Sequence, residues 1–346
     1  MASSGSKIRV GIVGLGGMGS RWTHIARSHK DSTLIGVTDV DIKKMKYAAK
    51  ELRCKTYENW NKLVLDNHID AVVIATPHVY LTQIAQSALI RGKHVLTEKP
   101  GGASSAEIEK GIKIANKKNL RYRVNFHMRL HPAVALAKQK TDEGVIGKVI
   151  FIRGVYGHGG RAGYEKEWWC KKKLSGGGEA IDQGSHLLNL ANWFIGPFES
   201  AATCLETGFW NIRPLEDNAF FLLQNKAGQT AALHASWTHW RKMFRWEIYG
   251  ELGYLVVEGL GGQYGLERLT YGKQALGRSV PQEKVWEFEE ESHAPDTALK
   301  NSWSEFLKSI RRGRDIGSTA KDAVETLRLV ELSYRAAKAK RVMRIT

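Results

Sequence analysis

The sequence predicts an α/β domain built on a parallel sheet with helices on both faces, followed by an α+β domain whose sheet is mostly antiparallel. Three observations predict it. The first 128 residues alternate short apolar runs with longer amphipathic stretches, the pattern of strands buried on both faces and of the helices that cover them. A glycine-rich loop directly follows the first apolar run. From about residue 148 the texture changes to extended segments rich in Trp, Tyr, Phe and Thr with close turns. The domain boundaries are placed at 1–128 and 129–346.

In chain order, strands are expected at 8–13, 34–38, 71–75, 94–97 and 121–126, with helices between them. In the second domain 231–240 and 244–257 read as extended, and two helices, at about 295–312 and 319–340, close the chain. Nine of the eleven tryptophans lie beyond residue 150, which gives the second domain aromatic surface to bury in its core or in a subunit contact.

At 346 residues, 42% hydrophobic and 25% charged, the chain can bury sizeable cores, and disorder and collagen are excluded. No apolar run approaches the roughly 20 residues that cross a bilayer, and residues 1–7 hold no apolar segment to act as a signal peptide. A cytoplasmic protein without a membrane partner is expected. Cys54, Cys170 and Cys204 are odd in number and far apart, which fits neither a disulfide framework nor a zinc site. No metal is expected, because His127 and His131 lack the intervening Glu of a zinc protease motif and a proline follows. The formal charge of +17 raises nucleic acid as a partner, but the basic residues are spread over several helices among acids, with no binding motif. Solvated helix faces are the reading, and the positive field would gather small anionic substrates.

The glycine loop carries the first functional signal. Gly14 allows a tight turn, Gly16 lets backbone approach a pyrophosphate, and Gly19 permits close packing of helix on strand; Gly17 and Met18 complete the loop. The following helix presents its N-terminus to phosphate. About twenty residues on, Asp39 places a carboxylate where an adenosine ribose presents its hydroxyls, while Asp41 can cap the next helix. Asp39 would repel a 2′-phosphate, so NAD is expected rather than NADP.

Further along, Thr76, Pro77 and His78 follow the third strand, and Glu98, Lys99 and Pro100 follow the fourth. With the glycine loop, the stretch 125–132, and Asp182, Gly184 and His186 at alternate positions, these residues resemble the glucose-fructose oxidoreductase, inositol dehydrogenase and rhizopine-catabolism (Gfo/Idh/MocA) family over nearly the whole chain. The resemblance implies an N-terminal Rossmann domain, a C-terminal domain with an open, mostly antiparallel sheet, and hydride transfer at a sugar or cyclitol carbinol. It implies cofactor contacts from Thr76, Pro77, His78, Glu98 and Lys99. The stretches 176–196, 235–241 and 259–265 look like the branch acting on nucleotide-linked sugars, which implies oxidation at C3 of a UDP-amino sugar or its uronic acid. Two departures from the family pattern, Gly101-Gly102 after the triplet and His78 where Asn is common, would alter the wall near the nicotinamide.

Oxidising a secondary alcohol needs a base within reach of the hydroxyl. Asp182 and His186, spaced i and i+4, would share one helix face, so the carboxylate orients the imidazole and raises its basicity. His186 is assigned as the principal base, with Lys99 holding the hydroxyl and stabilising the alkoxide; the proton could equally pass through Lys99 first. Arg129, His131, His158, Arg161 and Tyr164 are substrate-binding candidates, because they lie in loops near the domain boundary and Arg suits phosphate or carboxylate. Trp237, with His239 and Arg241, would alternate outward on its strand, toward a ligand or a neighbouring subunit.

The leading expectation is therefore an NAD-dependent dehydrogenase of a small-molecule sugar substrate, a nucleotide-linked sugar oxidised at C3 as the resemblance implies. A homodimer or homotetramer through the second-domain sheet is expected from the family and the aromatic content. The alternatives are a dehydrogenase of a free sugar or inositol, an NAD-dependent glycosidase, and a non-catalytic NAD-sensing regulator, against which the intact Lys99, Asp182 and His186 set stands.

Overall fold

A computed structural model describes residues 6–277, 281–294 and 296–345. The start of the chain and Pro295, where a helix was expected to begin, lie outside the described residues. The chain divides into two compact units, the first of Met1–Phe126 with Leu299–Val324 and the second of His127–Ala298 with Glu325–Thr346.

In the first unit the strands are β1 (Ile8–Val13), β2 (Ser32–Thr38), β3 (Lys55–Thr56), β4 (Ala71–Ile74), β5 (His94–Glu98) and β6 (Tyr122–Asn125). They run parallel in the order β3-β2-β1-β4-β5-β6. The order reverses between β1 and β4, so the carboxyl ends of these two strands flank the switch point at which such sheets bind ligands. The five expected strands are present; β3, two exposed residues with no apolar signal, is an addition.

The segment Leu299–Val324, expected in the second domain, packs instead within the first unit. The helix Thr297–Arg312 carries Leu299, Trp303, Phe306 and Leu307 at helical spacing, and all four join the core of Ile8, Val10, Trp22 and Leu96. Trp303 lies 5.9 Å from Trp22 and its Nε1 donates to Ser32 Oγ at 3.1 Å. Amphipathic spacing predicted the helix but not which sheet it covers.

In the second unit β7 (Val149–Gly157), β8 (Phe198–Glu206), β9 (Asn218–Asn225), β10 (Thr230–Ser236), β11 (Met243–Gly250), β12 (Gly253–Glu258), β13 (Glu267–Lys273), β14 (Glu283–Phe288) and β15 (Met343–Arg344) form one sheet. Its order is β14-β13-β12-β11-β7-β10-β9-β8-β15, antiparallel throughout the described residues apart from the parallel pair β7 and β10. The helix Gln183–Ile195 packs on β7 and β10. The opposite face is open, with Phe220 42% and Leu222 53% exposed.

A half-buried histidine makes the first unit sensitive to acid. His94 Nδ1 accepts from Arg121 N at 3.0 Å, and burial, aided by the charge of Arg121, pushes the imidazole pKa down to about 4. The unfolded chain therefore binds a proton, between its ordinary value near 6.5 and about 4, that the folded chain excludes, and stability falls as pH falls through that window. We predict that His94→Asn, which keeps an acceptor but cannot titrate, removes about 3 kcal/mol of this acid sensitivity. Denaturant unfolding at stepped pH checks it; identical slopes in both proteins would refute it.

Candidate active site

The glycine loop has the form its spacing predicts. Gly14 adopts φ +92°, and a Cβ there would lie 2.5 Å from Ala75 O. A Cβ at Gly19 would lie 1.8 Å from Gly14 O, so only glycine lets the helix Gly17–Ser28 close on the turn. Beyond Gly16 and Gly17, by contrast, a Cβ would meet nothing within 4 Å. Gly16 is the N-cap without a side-chain hydrogen bond, and the first turn carries no acid, which leaves the helix N-terminus suited to an anion. Met18 packs against the core, so only its backbone is left for the loop.

Asp39 accepts from Leu15 N at 2.5 Å and from Asp41 N at 2.8 Å, so the carboxylate at the end of β2 also holds the loop. The capping role falls to Asp41, which accepts from Lys43 N and Lys44 N. Thr76 Oγ1, beside Gly14, is buried without a hydrogen-bond partner among the described residues. Pro77 caps the helix His78–Ile90, in which His78 is buried. Open space over two glycines, an uncapped helix end, and an acceptor carboxylate fit a dinucleotide diphosphate and its ribose.

Glu98 is tied into the fold. Its carboxylate is buried and accepts from Trp22 Nε1 at 2.7 Å and Asn125 Nδ2 at 3.0 Å; burial pushes its pKa up against these bonds. These bonds tie the end of β5 to the helix Gly17–Ser28 and to β6, so the side chain serves as an anchor. Lys99 follows at the end of β5, half-buried, with a cis bond to Pro100. Gly101 and Gly102 are tightly enclosed: a Cβ at Gly101, where φ is +94°, would meet Val124 at 2.8 Å, and one at Gly102 would meet Thr82 at 2.4 Å. Both glycines serve close packing.

In the second unit Asp182 is the N-cap of the helix Gln183–Ile195, one residue ahead of its first turn rather than within it. His186 is buried in that turn, with the rings of His127 at 5.3 Å and Tyr156 at 6.0 Å, both edge-on. Tyr156 bonds Tyr264; burial drives Tyr156 well above its ordinary range and Tyr264 up to about 12. The charge of Asp182 acts on Tyr156, His158, Tyr164 and Tyr264 alike, which places it amid this cluster. His127, Tyr156 and Tyr264 were missed by sequence reasoning. The inward alternation of Ile152, Gly154 and Tyr156 on β7 was a usable signal for one of them.

The substrate candidates divide. Arg129 Nε donates to Asn189 at 2.8 Å and its guanidinium lies over Trp193, so it is engaged in packing. His131 Nδ1 is 2.7 Å from the buried Glu267. Tyr164, 2% exposed, and Trp237, 0% exposed, belong to an aromatic core with Cys170, Ile212 and Leu215. The outward alternation expected for Trp237 fails because β10 ends at Ser236. Arg161 is exposed and pairs with Glu167 at 2.6 Å. His158 Nδ1 accepts from Gly160 N at 2.9 Å, its ring edge-on to Tyr164, and burial lowers its pKa against the charge of Asp182.

Among known proteins, a Gfo/Idh/MocA model described as an oxidoreductase family with an NAD-binding Rossmann fold matches residues 8–126, and the C-terminal domain model of that family matches 134–256. The chain is 32% identical over 166 residues to the levoglucosan dehydrogenase of Pseudarthrobacter phenanthrenivorans, 46% of this chain and 43% of that protein, so the match spans less than half of that relative. It is 30% identical over 132 residues to the UDP-N-acetylglucosamine 3-dehydrogenase of Acidithiobacillus ferrooxidans, 38% of this chain and 41% of the other. A solved levoglucosan dehydrogenase in complex with NADH superposes with a TM-score of 0.85 at 20% identity, covering 99% of this chain and 100% of that one.

The contact at Gly19 generates a test. Gly19→Ala should weaken NADH binding at least about tenfold, roughly 1.4 kcal/mol, while the far-ultraviolet dichroism is retained. Titration of NADH fluorescence measures it, and an unchanged Kd would contradict the role given to this contact.

Proposed function

The chain belongs to the Gfo/Idh/MocA family of NAD-dependent oxidoreductases, and from that premise we propose that it moves a hydride between a ring carbinol of a sugar, C3 in our reading, and bound NAD. The observation that carries the reading is the second unit's cluster of Asp182, His186, His127 and Tyr156 at the start of a buried helix. In the oxidative direction an imidazole nitrogen of His186 takes the hydroxyl proton, directly or by way of Lys99. Asp182 favours the imidazolium that results, and the Lys99 ammonium stabilises the developing alkoxide. In the first unit Gly14, Gly16, Gly17, Gly19 and Asp39 hold the cofactor, with Thr76, Pro77 and His78 beside them.

For the substrate we favour an uncharged, unlinked sugar. The support is that Arg129 and His131, the residues best suited to a diphosphate, are tied to Asn189 and Glu267. The nucleotide-linked sugar is the second reading, supported by the match to a UDP-N-acetylglucosamine 3-dehydrogenase and by the run of cations Lys171, Lys172 and Lys173. The open sheet face would pair subunits into a homodimer or homotetramer.

Mass spectrometry of free sugars, anhydrosugars and nucleotide sugars after incubation with NAD should find loss of two hydrogens from an uncharged member. A hit confined to nucleotide sugars would reverse the substrate preference, and cleavage of a glycoside without net NADH would favour the glycosidase. Lys99→Ala should lower kcat by about 10²- to 10⁴-fold. An inert wild type that still binds NAD would favour a regulator.

A further inference from the structure

Glu216 lies two residues ahead of β9, buried, and is not among the residues that carry the proposed chemistry. Its Oε1 accepts three hydrogen bonds, from Gly178 N at 3.1 Å, Ala180 N at 3.1 Å and the Tyr334 hydroxyl at 2.7 Å. Its backbone oxygen accepts a fourth from Glu179 N at 2.9 Å. The fit is close: a Cβ at Gly178 would lie 2.2 Å from Glu216 O, and one at Gly177 would lie 2.1 Å from the Tyr334 hydroxyl.

The pinned loop is the one that sets the start of the helix bearing His186. Gly178 O accepts from Asp182 N at 3.1 Å, and Glu179 O accepts from Gly184 N at 2.9 Å. The carbonyls that receive the N-cap residue and the first turn thus belong to residues whose own N–H groups Glu216 holds. A carboxylate is costly to bury, and burial does push the Glu216 carboxyl up in pKa. Three donors on one oxygen offset that cost and fix the loop more narrowly than an apolar contact would.

We propose that Glu216, steadied by Tyr334, is a positioning residue that sets the placement of Asp182 against His186 through the loop 176–182. The proposal rests on the assignment of Asp182 and His186 above. It requires that loss of the acceptor oxygen loosens Asp182, so that the imidazole loses the carboxylate that favours its charged form. The rings of His127 and Tyr156 face His186, and they and Asp182 stay the same in every variant used below; Glu179 lies within the loop itself.

The test is the titration of His186 followed by NMR of histidine-labelled whole protein, with His186→Asn to assign the signal. It needs no substrate. Glu216→Gln keeps an acceptor at Oε1 but removes the charge, whereas Glu216→Ala removes both. The midpoint should fall in Glu216→Ala, fall less in Tyr334→Phe, and return close to the wild-type value in Glu216→Gln. With the turned-over sugar, Glu216→Ala should lower kcat about tenfold or more while KM for NAD stays the same. Equal shifts in the Gln and Ala variants would mean that charge alone acts and would overturn the proposal. So would an unmoved midpoint with only a lower Tm. If Glu216→Ala does not fold, Tyr334→Phe decides: a fall supports positioning and an unmoved midpoint rejects it. A failed sugar panel with these midpoint shifts would count against the proposed function and leave the positioning role standing.

Discussion

The buried carboxylate of Glu98 ties together the elements on which the first unit's functional edge depends. It ends β5, accepts from Trp22 on the helix that follows the glycine loop, and accepts from Asn125 at the end of β6. Asn125 in turn accepts from Ser302 on the helix Thr297–Arg312. One side chain thereby joins two strand ends and one helix directly and, through Asn125, a second helix, and the next residue in the chain is Lys99. A carboxylate so placed without its donors would cost several kcal/mol, so the position of Lys99 and the packing of the glycine-loop helix stand or fall together.

The second unit uses the same physics with different parts. Glu216 pins the loop ahead of Asp182, and its neighbour Asp217 pins the turn that carries Trp210. Asp217 accepts from Gly208, Phe209 and Trp210 backbone N–H groups and from Asn218; burial pushes its carboxyl up, but these bonds outweigh it and hold the pKa low. Trp210 then donates to the backbone oxygen of Trp237 and packs against Tyr164. In each unit rigidity next to the proposed chemistry comes from a buried acid saturated with donors, rather than from surface ion pairs, which contribute little.

How far the sequence revealed this depends on the kind of signal. Periodicity and the glycine spacing carried the parallel sheet, the loop and Asp39, because those features are local in the chain. The placement of Leu299–Val324 was not legible: an amphipathic face says that a helix is covered, not by which sheet. The bonds of Glu98 to Trp22 and Asn125 were not legible, because a motif records that a residue matters but not which way its side chain turns. Trp237 and Tyr164 read as ligand contacts for the same reason, and the structure spends both on an aromatic core. Tyr264 went unread because its ring neighbour, Tyr156, lies on a strand more than a hundred residues away, and only folding brings the pair together.

The central claim is that a ring carbon of a sugar gives its hydrogen to the nicotinamide while the chain's own side chains handle the proton. The most direct measurement takes the sugar that reduces NAD, deuterated at the oxidised carbon, and follows the label by mass spectrometry of the recovered cofactor. The account predicts deuterium in the NADH and none exchanged into solvent. Label lost to water or retained in the sugar product would contradict it.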